Sequence, residues 1–255
     1  MIMGDFYICL PSNSSMDVYP ENNPGHFYTK LPRDIDLSGM EYEVGLSEII
    51  FTNSYVNVEK ETLGLRIKAK KDSNPVLLSL HPGLYESTPE LLNSLNNLTK
   101  SQYGPGKNRI KFYFNKPTKR ASLKIYDKGA SAELSPGLAK LLHLKTDKWY
   151  KGSHKYWGSG PVDIHEDTYT IYAYCDIVEH RPVGDVMAPL LRIIPTIDKT
   201  AEVIDLIYEN PHYIPLARRH FNSIEIRLAT DKGKDLVFES GKTVLTLHFR
   251  PRRQE

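Results

Sequence analysis

The chain is predicted to be all-β and to fold as a single jelly roll, an antiparallel β-sandwich with short helical insertions. Three observations predict it. Apolar and polar residues alternate with period two in run after run, which sends one set of side chains to a core and the other to water. Seventeen Pro and 16 Gly punctuate those runs at short intervals, as turns between many short strands require. The 255 residues are 40% hydrophobic and 25% charged, a globular balance large enough to bury a core without disulfides and read here as one domain, 1–255.

The elements follow in chain order. Phe6 to Leu10 is a short apolar patch and Pro11 to Pro24 a connector rich in Pro, Asn and Ser, so residues 1–25 read as an N-terminal arm. Tyr42, Val44 and Leu46 then oppose Glu41 and Glu43, giving a strand with one solvated face. Leu65, Ile67 and Ala69 alternate with Arg66, Lys68 and Lys70. Ser87-Thr88-Pro89-Glu90 has capping-box spacing with Pro in the first turn, and Leu91, Leu92, Leu95 and Leu98 share one face, which predicts a helix near 87–100. Ile110, Phe112 and Phe114 alternate with Lys111 and Tyr113. Ser135-Pro136 opens a second helix near 135–144, with Leu138, Leu141 and Leu142 on its apolar side. Both helices are expected to be insertions packed across a sheet end or edge. Residues 146–161 read as a long loop that carries Trp149 and Trp157 among Gly152, Gly158 and Gly160. Such rings are either contact anchors or tucked onto the domain's own surface. Three more strands follow, through Ile171, Ala173 and Cys175, through Ile224, Ile226 and Leu228, and through Leu245, Leu247 and Phe249. Asp231 to Asp235, centred on Gly233, is read as a hairpin loop between the last two.

Catalytic patterns fail one by one. Ser240-Gly241-Lys242-Thr243 ends like a phosphate-binding loop, but Leu236 stands where that motif needs Gly, and a strand follows instead of a helix. No His-x-His pair suits a cupin-type metal, and the neighbours His165, Glu166 and Asp167 point to opposite faces of an extended chain. There is no Gly-x-Ser-x-Gly elbow, and neither Cys9 nor Cys175 has a setting that would lower its pKa. No catalytic, cofactor-binding or metal-binding residue is assigned, no cofactor is expected, and the chain is read as a non-enzyme.

Two cysteines exclude a disulfide framework and suit a reducing, intracellular site of assembly. No signal peptide or membrane-spanning run is expected, and the sequons at Asn13 and Asn97 carry no meaning without secretion. Sixteen Tyr outnumber Phe and Trp together, which suits half-exposed sheet faces and subunit contacts. The formal charge is only +2. Basic clusters occur at Lys68-Ala69-Lys70-Lys71, at Lys116, Lys119 and Arg120, at Arg218-Arg219 and at Arg250-Pro251-Arg252-Arg253. With no aromatic-interleaved groove in view, most are read as solvated loop ends, and the Arg-rich C-terminus as the best candidate for a weak nucleic-acid contact.

Several segments go further. They are residues 5–16 (Asp5-Phe6-Tyr7-Ile8-Cys9-Leu10-Pro11 and the Ser/Asn run after it), Tyr19-Pro20-Glu21-Asn22, and His26-Phe27-Tyr28-Thr29-Lys30-Leu31-Pro32. Tyr42-Glu43-Val44-Gly45-Leu46-Ser47-Glu48-Ile49, Asn57-Val58, Asn222 through Ile226, the Gly233 loop and Leu245 through Arg250 complete the set. Together they resemble the minor capsid (penton) proteins of Maverick/polinton elements and the related adintoviruses, over the first 58 and last 45 residues and more loosely between. The resemblance implies a single jelly roll that forms a homopentamer at each fivefold vertex of an icosahedral virion, beside a double jelly-roll major capsid protein, assembled inside the host cell without a membrane. On this reading the arm ties the subunit to its neighbours or to the inner shell, and deleting residues 1–20 leaves a folded monomer that fails to assemble. A minimal jelly roll is shorter than this chain, so the helices and the Trp loop are elaborations. A trimeric jelly-roll attachment protein and, behind it, a cupin-like metal enzyme are the competing readings.

Overall fold

Alternation in sequence becomes alternation in burial. Thr243, Leu245, Leu247 and Phe249 are fully buried, while the residues between them are half-exposed. The computed structural model describes residues 4–59, 64–71, 73–103, 109–196 and 202–252. Residues 1–55 and 167–255 form one compact unit and residues 56–166 another.

In chain order the first piece carries β1 (Phe6–Pro11), β2 (His26–Asp36) and β3 (Tyr42–Thr52). Residues 56–166 carry β4 (Gly64–Lys68), β5 (Val76–Ser79), α1 (Thr88–Tyr103), β6 (Ile110–Asn115), β7 (Arg120–Ile125) and β8 (Ser131–Leu134). There follow α2 (Pro136–Leu141), β9 (Tyr150–Lys151) and β10 (Lys155–Trp157). A single 3-10 turn at Glu166–Thr168 leads to β11 (Thr170–Cys175), β12 (Arg181–Val183), β13 (Val186–Ala188) and β14 (Leu190–Pro195). The chain ends with β15 (Val203–Ile207), β16 (Ile214–Pro215), β17 (His220–Ala229) and β18 (Thr243–Pro251).

The first unit is a jelly roll. One sheet runs β1-β18-β3-β15, with β16 also on β3, and the other runs β14-β11-β17-β2. Strands pair from the outside inward, β1 with β18, β2 with β17, β3 with β15 and β11 with β14, all antiparallel. That is the ladder of one long hairpin rolled up across two sheets. The apolar faces meet across the sandwich, where the rings of Phe221 on β17 and Phe249 on β18 stack at 6.2 Å. In β3 the alternation changes phase: Val44 and Leu46 are buried, then Ile49 and Phe51. The register against β18 slips between Thr246 and Leu247, leaving Ser47 as the extra residue, and its hydroxyl donates to the Thr246 carbonyl at 2.9 Å. The bulge keeps the apolar residues on the core side of a strand whose sequence would otherwise turn them outward.

The second unit lies between β3 and β11 in the chain and has its own core. Its sheets run β10-β7-β6 and β5-β4-β8-β9. Leu91, Leu92 and Leu95 of α1 are buried with Leu65, Ile67, Phe112, Leu123, Leu134 and Leu138 in one apolar cluster. Ser87 accepts from the Glu90 amide at 3.4 Å, and the Glu90 carboxylate accepts from the Glu86 amide at 2.7 Å, one residue before the position a strict capping box uses. In α2 the Ser135 side chain accepts from Leu138 N at 3.3 Å. The outer strand β6 is held by α1: Asn96 accepts from Phe112 N at 2.7 Å and donates to Phe112 O at 3.0 Å. Two other asparagines do the same, Asn22 for Tyr28 and Asn57 for Tyr85. A side-chain amide offers one donor and one acceptor in the spacing of a neighbouring strand, so each of these residues stands in for a missing ladder rung.

The structure departs from the sequence reading in four places. Both helices belong, with seven strands among the described residues, to the second compact unit, which divides in two a chain whose sequence reads as one domain. Residues 146–161 are not one uninterrupted loop, because two short strands lie within them, β9 paired with β8 and β10 with β7. Residues 231–235 do turn tightly, with Gly233 at φ 75° and a bridge from Ala229 to Asp235. They do not form a hairpin between two paired strands, since β17 and β18 belong to opposite sheets. Finally, the segment 1–25 is no free arm from Phe6 onward: β1 pairs residue by residue with β18. Beyond it Ser12 N donates to Thr243 O at 2.8 Å and Asn22 donates to Ser14 O at 3.1 Å. Leu10 supplies the reason, since it is fully buried and only sheet pairing puts it there.

Candidate functional site

The titratable residues singled out above are used structurally. His165 is buried; its Nε2 donates to the Glu86 carbonyl at 3.1 Å and its Nδ1 accepts from Asn57 at 3.2 Å, which fixes the tautomer. Glu166 lies in the 3-10 turn. No cluster of three or more His, Cys, Asp or Glu able to hold a metal occurs among the described residues. Thr243 of the phosphate-loop lookalike is buried at the start of β18. Gly241, at φ 88°, presses against Thr52, whose Oγ1 lies 2.0 Å from where a Cβ would stand. No helix among the described residues is long and apolar enough to cross a membrane.

Burial pushes the Cys175 thiol up to about 12, whereas Cys9 is exposed on β1. The thiolate is the reactive form. The native protein should therefore consume one equivalent of a chromogenic thiol reagent quickly, and the second only when denatured. Fast loss of both thiols from native protein would contradict the burial of Cys175.

Two of the four basic clusters are paired with carboxylates, at Arg218-Arg219 and at the C-terminus. Arg218 pairs with Asp176, Arg219 with Glu41 at 3.2 Å, Arg250 with Glu43 at 2.6 Å and Arg252 with Glu41 at 3.7 Å. Arg253 lies outside the described residues. The C-terminal candidate for nucleic-acid contact therefore faces carboxylates, and Glu41 and Glu43 are ion-pair partners. Lys68 sits over the half-buried Trp149 ring at 5.1 Å. Trp157, by contrast, is 47% exposed on β10.

What the jelly-roll unit presents is a set of sheet margins. The outer strands are β1 and β15 in one sheet and β14 and β2 in the other. Ile207 on β15 is 69% exposed, and Val203 at the other end of that strand and Ile193 on β14 are exposed too. Val186 and Met187 add exposed apolar surface at the tip of the β12–β13 ribbon. Pro211 and Pro215 interrupt the margin that β15 and β16 share along β3, which limits indiscriminate strand addition. At the opposite margin Tyr7 stacks on His248 at 4.4 Å, and His248 Nδ1 is bonded to the Tyr213 hydroxyl at 2.7 Å. Apolar margins blunted by Pro and aromatic clusters suit side-by-side protein contacts. The period-two pattern in the sequence marks β3, β11, β17 and β18, the strands these margins flank, and none of the four margin strands themselves, because which strands lie outermost depends on sheet order.

No known protein family matches the chain, and no curated protein matches it. Among solved structures it is similar to the mavirus penton protein, at 9% identity and a TM-score of 0.46, covering 97% of this chain and 99% of that one. It is also similar to a chain of the Sputnik virophage, at 9% identity and a TM-score of 0.47, covering 98% of each.

Proposed function

We propose that this protein is a structural virion protein and not an enzyme: the minor capsid (penton) subunit, forming a homopentamer at the fivefold vertices of an icosahedral shell. Its neighbour there is a double jelly-roll major capsid protein, encoded by the same Maverick/polinton-type element. The observation that carries the reading is where the resemblance falls. Residues 1–58 and 211–255 hold β1, β2, β3, β16, β17 and β18, most of the sandwich strands among the described residues. The exposed apolar margins support it, because ring closure needs two different surfaces of one subunit to meet in turn.

Light scattering tests it, on the protein alone and mixed with that major capsid protein. A particle of about 145 kDa, five times 29.1 kDa, is the expected result in at least one of the two. A stable trimer would transfer the assignment to an attachment protein. A monomer that also ignores the major capsid protein would overturn the capsid reading.

A further inference from the structure

The formal charge of +2 hides a division. Residues 56–166 hold 19 Lys+Arg against 10 Asp+Glu, a formal +9, whereas the jelly-roll unit holds 14 against 21, a formal −7. The positive charge is concentrated further. From Arg109 to Tyr126 there are six Lys+Arg and no acid, and from Lys148 to Val162 three Lys and no acid. These segments contain the strands of the β10-β7-β6 sheet.

One face of that sheet packs Phe112, Leu123 and Ile125 into the core. The other carries a row of three lysines directly across the strands, Lys111 opposite Lys124 opposite Lys155. The next row is Tyr113, Ser122 and Trp157, and Asn115 faces Arg120 beyond it. The lysines sit over the rings: Lys155 lies 4.2 Å from the centre of Trp157 and 4.9 Å from Tyr113, Lys111 lies 5.0 Å from Tyr113, and Lys124 lies 4.6 Å from Tyr126. Tyr113 and Tyr126 are hydrogen-bonded through their hydroxyls, and Tyr126 and Trp157 are exposed. Like charges directly opposite each other destabilise a sheet. Among the described residues no carboxylate pairs with any of the three lysines; the nearest acid in sequence, Asp127, is held by Arg109 at 3.5 Å.

We infer that this face binds single-stranded nucleic acid, independently of the capsid reading. A row of unneutralised ammonium groups meets phosphates, and exposed flat rings beside it accept unstacked bases, the pairing that single-strand binders use. A duplex has its bases already stacked and offers the rings nothing. The aromatic interleaving absent from any one basic run is created across strands, where Trp157 is brought beside Tyr113.

The test uses the full-length protein and a labelled oligodeoxythymidylate of about 20 nucleotides, followed by anisotropy and tryptophan quenching. Binding is expected at about 50 mM salt, with a slope of log K against log salt near −2 for three phosphates. Trp157→Ala should weaken binding about tenfold with the slope unchanged, and Trp157→Phe should restore most of it. Neutralising the row with Lys111→Gln, Lys124→Gln and Lys155→Gln should flatten the slope. Circular dichroism and a melting temperature no lower than that of the unsubstituted protein confirm that each variant is folded. Arg250→Gln should leave affinity unchanged. Absence of binding at low salt overturns the inference. So does equal affinity for the same sequence as a duplex, or preference for a sulfated oligosaccharide with no loss in Trp157→Ala.

Discussion

Deleting residues 1–20 is expected to unfold the jelly-roll unit instead of releasing a folded, assembly-defective monomer. The deletion removes β1, and with it six consecutive residue pairs along β18. It takes away fully buried Leu10, whose truncation alone costs about 2–5 kcal/mol at a core position. It also uncovers Phe249, on which the Phe6 ring stacks at 4.7 Å. Ser12 goes too, whose hydroxyl accepts from Thr243 N at 3.0 Å and leaves that amide unpaired. Set against a net stability of about 5–15 kcal/mol for a typical domain, the sum is disabling. Circular dichroism and a urea melt decide it: loss of the cooperative transition, or insoluble expression, is the expected outcome. A soluble truncation with full β-content and an undiminished midpoint would restore the arm.

The second large effect is expected at Asn96. Truncation to Ala leaves the N–H and C=O of Phe112 buried without partners on the outer strand of its sheet. Two stranded backbone groups cost about 2–4 kcal/mol together. Thr99 is the comparison: its hydroxyl donates to Asn96 O at 2.9 Å and only weakly to Ile110 O at 3.4 Å, so Thr99→Val should cost about 1 kcal/mol or less. Denaturant melts give the difference, and hydrogen exchange at the Phe112 amide locates it. Equal destabilisation by the two variants would mean that Asn96 acts through helix packing and not through the strand.

Individual strands were legible because burial on one face leaves a mark on each residue in turn. The buried positions in Leu65 and Ile67, in Ile171, Ala173 and Cys175, and in Leu245, Leu247 and Phe249 are those the alternation marks. The helix starts were legible too, at Ser87 and Ser135, because a cap is a local interaction. Non-local relations left no such mark. The apolar residues do change phase beside Ser47, but only the register of β18, some 200 residues away, turns that change into a bulge. Asn96 looks like any polar residue on a leucine-striped helix, and only the fold brings Phe112 within reach. The lysine row failed for the same reason: Lys111, Lys124 and Lys155 sit in three separate strands and look isolated until the sheet aligns them. Charge counted over segments instead of the whole chain would have shown that acids are missing from 109–126.

The pairing of β1 with β18 also sets a clock. Phe6 is partnered by Phe249, and at synthesis rates of about 5–20 residues per second the second emerges roughly 12–50 s after the first. During that interval β1 and most of β3 hold apolar faces and open backbone edges without their strand partners. The second unit waits far less, since its ladders join residues within 64–157. It is therefore complete while the sandwich around it in the chain is still a set of unpaired strands. The jelly roll closes only as the last strand is delivered, so the yield of folded protein is governed by how long the early strands survive alone.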